Sequence, residues 1–145
     1  MTASISLGVA GALGPDAIAR IATAAEDAGF ASLWVNDTQE GDSLAALAAA
    51  ARTTGSLVLA TGVIPVDRRP ADEIARAVRD LPAERVVLGI GSGAVRQGAV
   101  DLVRDAIGRL REQTAARILV GALGPRMRAL AATDADGPLL SWRTP

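Results

Sequence analysis

The stretch RVVLGIGSGAVRQG, residues 85–98, decides the fold of this chain. A short apolar run ends in glycines at three alternate positions, Gly89, Gly91 and Gly93, and a helix-like segment follows. Two kinds of structure produce this pattern. One is the phosphate-binding turn of a dinucleotide fold, which the spacing G-x-G-x-x-A matches. The other is the carboxyl end of a barrel strand that leaves room for a flat ligand.

Similar apolar runs recur along the chain and alternate with alanine-rich helical patterns. Strands that alternate with helices predict a mainly parallel sheet with right-handed crossovers. Because the runs are apolar throughout, we expect both faces of the sheet to be covered. No linker or change of composition divides the sequence, so we expect one domain over 1–145. The predicted strands are 4–10, 32–36, 57–64, 85–91, 117–122 and 138–142.

Composition excludes several kinds of chemistry. The 145 residues include no His, no Cys and no Lys, since every basic residue is Arg. A Ser-His-Asp triad, a thiolate nucleophile, a Schiff-base lysine and a Cys or His metal site are therefore absent, and we predict no metal site. A net charge of −1 gives no electrostatic case for binding nucleic acid or an anionic membrane.

Targeting signals are also missing from the sequence. The first residues, MTASISLGVAG, have neither a basic segment nor a long apolar one, and no run of 18 apolar residues occurs. We expect a cytoplasmic protein that binds neither membranes nor nucleic acid.

Two architectures remain open at this point: an open doubly wound parallel sheet and an incomplete (β/α)8 barrel of about six units. Length alone favours the open sheet, because barrels typically need about 250 residues. The dinucleotide interpretation lacks two required features. The run that follows, 117–122, does not end in an acid for the ribose, and the glycines lie in the fourth β/α unit rather than the first.

The ends of the predicted strands are small, polar or rich in glycine. They read WVND at 34–37, TGVIP at 61–65, GIGSG at 89–93, GALGP at 121–125 and SWR at 141–143. Active sites of barrel enzymes lie at the carboxyl ends of the strands, and small or polar residues there would leave room for the flat ring system of a ligand.

Taken together, four segments resemble the luciferase-like flavin- or F420-dependent oxidoreductases. They are GFASLWVND (29–37), LATGVIPVDRRPADEIARAV (59–78), ERVVLGIGSG (84–93) and ILVGALGPRMRALAATDADGPLLSW (118–142). The resemblance implies a (β/α)8 barrel that binds FMN or F420 at the strand ends. It also implies hydride transfer to, or oxygenation of, a small organic substrate, with the cofactor carrying the reaction.

The resemblance also implies particular site residues. The cofactor ring would lie against a bulge on the third strand, often with a non-proline cis peptide, at Thr61, Gly62 and Val63. Asn36 would lie near the reactive part of the ring, and Asp37 is the catalytic candidate, although it equally suits a turn or helix cap. The remaining implied cofactor-binding residues are Gly89, Gly91, Ser92 and Gly121.

Departures from the family pattern lead to further expectations. The strands number six where the family has eight, so sheet edges and apolar interior would be exposed, and we expect a homodimer. An alternative is a non-catalytic member that dimerises and binds a flavin without turnover. Trp34 and Trp142 either stack on a ligand or fill the core. Arg68 and Arg69 either bind an anionic group or lie in a solvated loop.

Overall fold

The computed structural model of the protein describes residues 4–122 and 124–140, in which strands and helices alternate. The longest helix has 15 residues, and within these ranges no helix is both long and apolar enough to cross a membrane. The strands are β1 (Ser6–Ala10), β2 (Ser32–Asn36), β3 (Val58–Pro65), β4 (Val86–Gly91), β5 (Arg117–Gly121) and β6 (Pro138–Leu139), and the helices are α1 (Pro15–Asp27), α2 (Ser43–Thr53), α3 (Ala71–Val78), α4 (Ala99–Gln113) and α5 (Pro125–Asp134).

The six strands form one parallel sheet in the order β1-β2-β3-β4-β5-β6. Every strand therefore pairs with its neighbour in the chain, as in a (β/α) barrel, whereas a doubly wound sheet reverses its order at a switch point. The prediction of an incomplete barrel is confirmed. The open doubly wound sheet, and with it the dinucleotide turn at Gly89–Ala94, is excluded by this strand order.

Strand boundaries differ slightly from the prediction. β1 begins at Ser6 rather than at residue 4, and β3 runs one residue further, to Pro65. β6 has only two residues, and the end of the predicted sixth strand, including Trp142, lies outside the described residues.

The hydrophobic core lies between the helices and one face of the sheet. Alternate strand residues point to that face, since side chains on a strand have a period of two. One cluster joins α1 and α2 to β2 and β3, and a second joins α3, α4 and α5 to β3, β4 and β5. The fully buried strand side chains of these clusters are Leu33, Val35, Leu59, Ile64, Leu88, Ile90, Ile118 and Val120.

The opposite face of the sheet, here called the helix-free face, is covered only in part. Ala60 and Val87 at its centre are buried, but Gly8 is exposed and Leu119 is partly exposed. The expectation that both faces are covered is therefore wrong at the outer strands. Six strands do not close into a ring, so within the described residues no second layer lies opposite this face.

Two charged side chains clamp the loop that leads into β3. The Glu26 carboxylate accepts hydrogen bonds from the backbone N–H groups of Gly55, Ser56 and Leu57, with the bond from Leu57 at 2.7 Å. Arg85 donates to the carbonyl oxygens of Leu57 at 3.1 Å and Thr54 at 3.0 Å. The clamp fixes the start of β3 at the amino-terminal edge of the sheet, opposite the strand ends that carry function in barrels.

The pKa of Glu26 makes this clamp sensitive to acid. The backbone hydrogen bonds from Gly55, Ser56 and Leu57 lower it from 4.5 to about 2. A carboxyl group with a lowered folded-state pKa stabilises the protein above its unfolded value and loses that contribution as the pH falls toward the folded value.

We expect Glu26→Gln to lower the melting temperature at pH 7, because a neutral amide is a weaker acceptor for three N–H groups than a carboxylate. The deficit should shrink as the pH falls from 4.5 toward 2, where the wild-type carboxyl group also becomes neutral. Circular dichroism melts across this range measure the effect. Glu112→Gln on the exposed face of α4 is the control, and a deficit that does not change with pH would contradict the assignment.

Candidate functional site

A cleft of about 480 Å³ opens at the carboxyl ends of β3, β4, β5 and β6. Strand ends form its floor, and the β4–α4 loop and the first turns of α4 and α5 form its walls. Most lining residues are small or apolar. They are Gly62, Val63, Pro65, Gly91, Ser92, Gly93, Val95, Arg96, Ala99, Gly121, Ala122, Gly124, Met127 and Leu139.

A bulge in β3 forms the centre of the cleft floor. Thr61 pairs with Leu88, but the next pair is Ile64 with Ile90, so β3 has one residue more than β4 between these pairs. The Gly62–Val63 peptide bond within the bulge is cis. The expected bulge and the expected non-proline cis peptide are both confirmed at the predicted positions.

Glycines on β4 and β5 lie against this bulge. A Cβ on Gly89 would overlap the carbonyl oxygen of Thr61. A Cβ on Gly91 or on Gly121 would lie 3.0 Å from a methyl group of Val63, closer than ordinary van der Waals contact. The missing side chains therefore make room for β3 itself.

The loop between β4 and α4 is held beside the cleft by Asp67. Its carboxylate accepts a hydrogen bond from the backbone N–H of Ala94 at 2.9 Å. Gly93 has a φ of +62°, and a Cβ there would overlap that carboxylate. Glycine is thus favoured at this turn, because it adopts a positive φ without strain and leaves room for the close approach of Asp67.

Among the described residues, one charged side chain and two helix starts contribute positive charge to the cleft lining. Arg96 is the charged side chain among the lining residues of the described chain, and no carboxylate joins it there. The first turns of α4 and α5 add the partial positive charge of helix N-termini. Val63, Met127 and Leu139 offer apolar contact. The arrangement suits a flat, largely apolar ligand that carries an anionic group.

Asp37 lies outside this cleft, in a cluster of charged groups at the ends of β2 and β3. Its side chain is only 3% exposed. The carboxylate accepts hydrogen bonds from the backbone N–H and the hydroxyl of Ser43, at 3.1 and 2.8 Å. It also pairs with the guanidinium groups of Arg68 and Arg69, each at 3.3 Å. Asp37 thus joins the β2–α2 loop to the β3–α3 loop.

Arg69 connects the same cluster to two helix starts. It pairs with Asp42 at 2.7 Å and with Glu73 at 3.1 Å, and Asp42 caps α2 by accepting from the N–H groups of Leu44 and Ala45. Burial acts to raise the pKa of Asp42, but the hydrogen bond and charge of Arg69 and the backbone hydrogen bonds from Ala45 and Leu44 together lower it. Burial likewise acts to lower the pKa of Arg69, but the carboxylates of Asp42, Asp37 and Glu73 together outweigh it and raise the pKa. Both groups stay charged and paired.

The structure brings five of the eight predicted cofactor residues together in the cleft: Gly62, Val63, Gly91, Ser92 and Gly121. The other three lie nearby without lining it. The Asn36 amide oxygen lies 3.9 Å from where a Cβ of Gly62 would be, while buried Thr61 donates its hydroxyl to the Gly89 carbonyl at 3.1 Å. The roles of these residues and of Asp37 stay predictions.

Other candidates from the sequence lie near the cleft or in the cluster around Asp37. The Trp34 indole N–H donates to the Ser32 hydroxyl at 2.9 Å, and the ring carbon Cε3 lies 3.3 Å from where a Cβ of Gly62 would be. Arg68 and Arg69 pair with Asp37 while their side chains are 35% and 17% exposed. The two interpretations of them, an anion site and a solvated loop, stay predictions.

Sequence reasoning missed Arg96, Met127 and Leu139 as lining residues. Arg96 lies in the short segment between a glycine-rich strand end and a helix start. A search for charged residues in strand-to-helix loops would have found it. Met127 and Leu139 carry no such signal, because an apolar residue in a first helical turn or a strand is usually part of the core.

Comparisons with known proteins agree with this geometry. A family model described as luciferase-like monooxygenase matches residues 2–112. A coenzyme F420-dependent tetrahydromethanopterin reductase from Methanopyrus kandleri has a similar structure, with a TM-score of 0.78 and 18% identity over 97% of this chain and 56% of the reductase chain. No curated protein sequence matches.

A second solved structure is also similar. It is the FMN complex of the oxygenating constituent of 3,6-diketocamphane monooxygenase, a type II Baeyer-Villiger enzyme from the CAM plasmid of Pseudomonas putida. The TM-score is 0.74 and the identity 15%, over 96% of this chain and 58% of that chain. At identities this low, the structural similarity establishes the fold alone. The chain spans less than two thirds of the length of either structure.

We expect Asp37→Asn to destabilise the protein by about 1–3 kcal/mol, because two guanidinium groups lose a buried charged partner. Asp72→Asn is the matched control, since Asp72 pairs with Arg109 at 3.5 Å and both side chains are more than half exposed. Removing an exposed pair should cost less than about 1 kcal/mol. Urea unfolding of both variants measures the difference, and equal losses would contradict a structural role for Asp37.

Proposed function

Because the chain belongs to the luciferase-like monooxygenase family, we propose that it is an oxidoreductase domain that binds FMN or coenzyme F420. The cofactor would lie in the cleft at the carboxyl ends of β3 to β6, and the substrate would be a small organic molecule. One observation carries the proposal: the cleft combines an apolar floor at the strand ends with a wall that carries the guanidinium group of Arg96. Barrel enzymes place their active sites at these strand ends.

The lining residues fit such a cofactor. The cleft volume of about 480 Å³ lies in the ordinary range for small-molecule sites. Gly62, Val63 and Leu139 would contact the flat ring. Arg96 and the first turns of α4 and α5 would hold its anionic tail, because guanidinium groups and helix N-termini both recognise phosphate. Ser92 adds a hydroxyl for hydrogen bonding.

When bound, FMN or F420 supplies hydride transfer, or, with reduced flavin, oxygenation. The residues of this chain would bind the cofactor and orient it against the bulge. Asp37 is best described as a positioning residue, since its carboxylate is used by Ser43, Arg68 and Arg69. Asn36, at the end of β2, is a candidate contact at the margin of the cleft near Gly62.

We also propose that residues 1–145 form one domain and associate as a homodimer. A single sheet extends through the described strands, which supports one domain. The outer strand β1 has alternate residues exposed, and the helix-free face is covered only in part, which supports contact with a second protein surface. Light scattering of the purified chain measures the mass.

A second candidate is a family member that binds the cofactor without turnover. The lack of a carboxylate among the described lining residues favours it, because no acid or base faces the ligand there. Steady reduction or oxidation of bound cofactor in the presence of substrate supports the oxidoreductase, whereas saturable binding with no turnover supports the second candidate.

We expect saturable micromolar binding of FMN or of F420, followed by ligand fluorescence. Arg96→Gln should weaken binding about tenfold or more, because it removes a charged donor from the anionic tail. Arg20→Gln, on the exposed side of α1, should leave the dissociation constant within about twofold. A folded, monodisperse sample that binds neither cofactor would reject the proposed function.

A further inference from the structure

We propose that the Val63 side chain is held in the space left by the missing side chains of Gly91 and Gly121, here called the seat of Val63. This seat would set the position of the cleft floor that the ligand contacts. The inference rests on the proposed function where it concerns the ligand. It assigns the two glycines a role different from direct contact with the cofactor. They would be positioning residues that act through Val63.

The two glycines hold Val63 from two different strands. The Cγ2 methyl of Val63 lies 3.0 Å from where a Cβ of Gly91 would be, and Cγ1 lies at the same distance from that of Gly121. One methyl group therefore occupies the side-chain space of β4, and the other occupies that of β5. Both spaces are available only because each position is glycine.

The rest of the bulge is held by a separate set of contacts. The Thr61 hydroxyl donates to the Gly89 carbonyl at 3.1 Å, and a Cβ on Gly89 would overlap the Thr61 carbonyl oxygen. Beyond the bulge, Ile64 and Pro65 return to register with Ile90 and Gly91. The bulge is thus fixed on both sides, so the Val63 side chain is the part left to move when its seat changes.

Movement of Val63 would reach the ligand directly. Val63 is only partly buried and lines the cleft together with Gly91 and Gly121. A Cβ at 3.0 Å requires its neighbour to shift by a few tenths of an ångström. Because Val63 lines the cleft, we expect that shift to change the surface that the ligand meets, and positions of reacting groups matter at the ångström scale.

The test is a double-mutant cycle between each glycine and Val63. Val63→Ala removes both methyl groups. A Cβ added at residue 91 would then have the Cβ of residue 63 as its nearest neighbour, at 3.8 Å, and a Cβ added at residue 121 would have the Ile90 carbonyl oxygen, at 3.6 Å. These are ordinary contacts. Gly91→Ala and Gly121→Ala should therefore be harmful alone and nearly neutral in the Val63→Ala background.

Two readouts are needed, the melting temperature and the dissociation constants for FMN and F420. We expect Gly121→Ala alone to lower the melting temperature and weaken binding by about fivefold or more, and to change binding by less than about twofold in the Val63→Ala background. Gly8→Ala is the matched control, because Gly8 is a strand glycine on the helix-free face whose Cβ would meet nothing within 4 Å. It should leave both dissociation constants within about twofold, because β1 contributes no residue to the described cleft lining.

Each outcome decides between the two roles of the glycines. If Gly121→Ala weakens binding equally in the wild-type and the Val63→Ala backgrounds, the glycine contacts the ligand itself and the seat is rejected. Coupling in melting temperature without coupling in binding rejects the positioning role. If Gly121→Ala does not fold alone, recovery of folded protein by Val63→Ala supports the seat, and no recovery rejects it.

Should the wild type bind neither cofactor, the proposed function and the positioning role are both rejected. Coupling between the two substitutions in melting temperature would still support the packing of Val63 against the glycines.

Discussion

The close approach of the β3 bulge to β4 and β5 is the constraint on which the site depends. The Thr61 carbonyl and the Val63 methyl groups occupy the space that side chains at residues 89, 91 and 121 would need. Only glycine satisfies this at three positions on two strands. With those glycines present, the bulge forms the floor of a cleft, and the apolar part of the candidate site follows from that packing.

The two edges of the sheet have different structural support. At the amino-terminal edge, Glu26 and Arg85 satisfy the backbone groups of the loop before β3. At the carboxyl-terminal edge, Asp37 ties the loops after β2 and β3 through Ser43, Arg68 and Arg69. The charged groups just named are all bound by backbone groups or by opposite charges, whereas Arg96 beside the cleft has no carboxylate among the described lining residues. This difference marks where a ligand charge can be accommodated.

Much of the fold could be predicted from the sequence, and less of the site. The alternation of apolar runs and helical patterns correctly predicted the strands and the parallel sheet. The resemblance correctly predicted the bulge and the cis peptide at residues 61–63. Coverage of both sheet faces was wrong, because an apolar run shows that a strand is buried on average but not which neighbours cover it. The sequence placed Asp37 at the polar end of a strand, but it gave no sign that the carboxylate would bind Ser43, Arg68 and Arg69.

The sequence by itself determined the order of the elements, the parallel sheet and the family, because periodicity, capping residues and motif spacing are local properties of the chain. Only the tertiary structure explains the glycines at residues 89, 91 and 121, because side chains there would meet the Thr61 carbonyl oxygen and the Val63 methyl groups. Only the tertiary structure shows that Arg68 and Arg69 form ion pairs with Asp37, and that Arg96 lines the cleft. Contacts between residues far apart in the chain depend on the distance between strands and on the direction of each side chain, and neither is encoded in the local pattern.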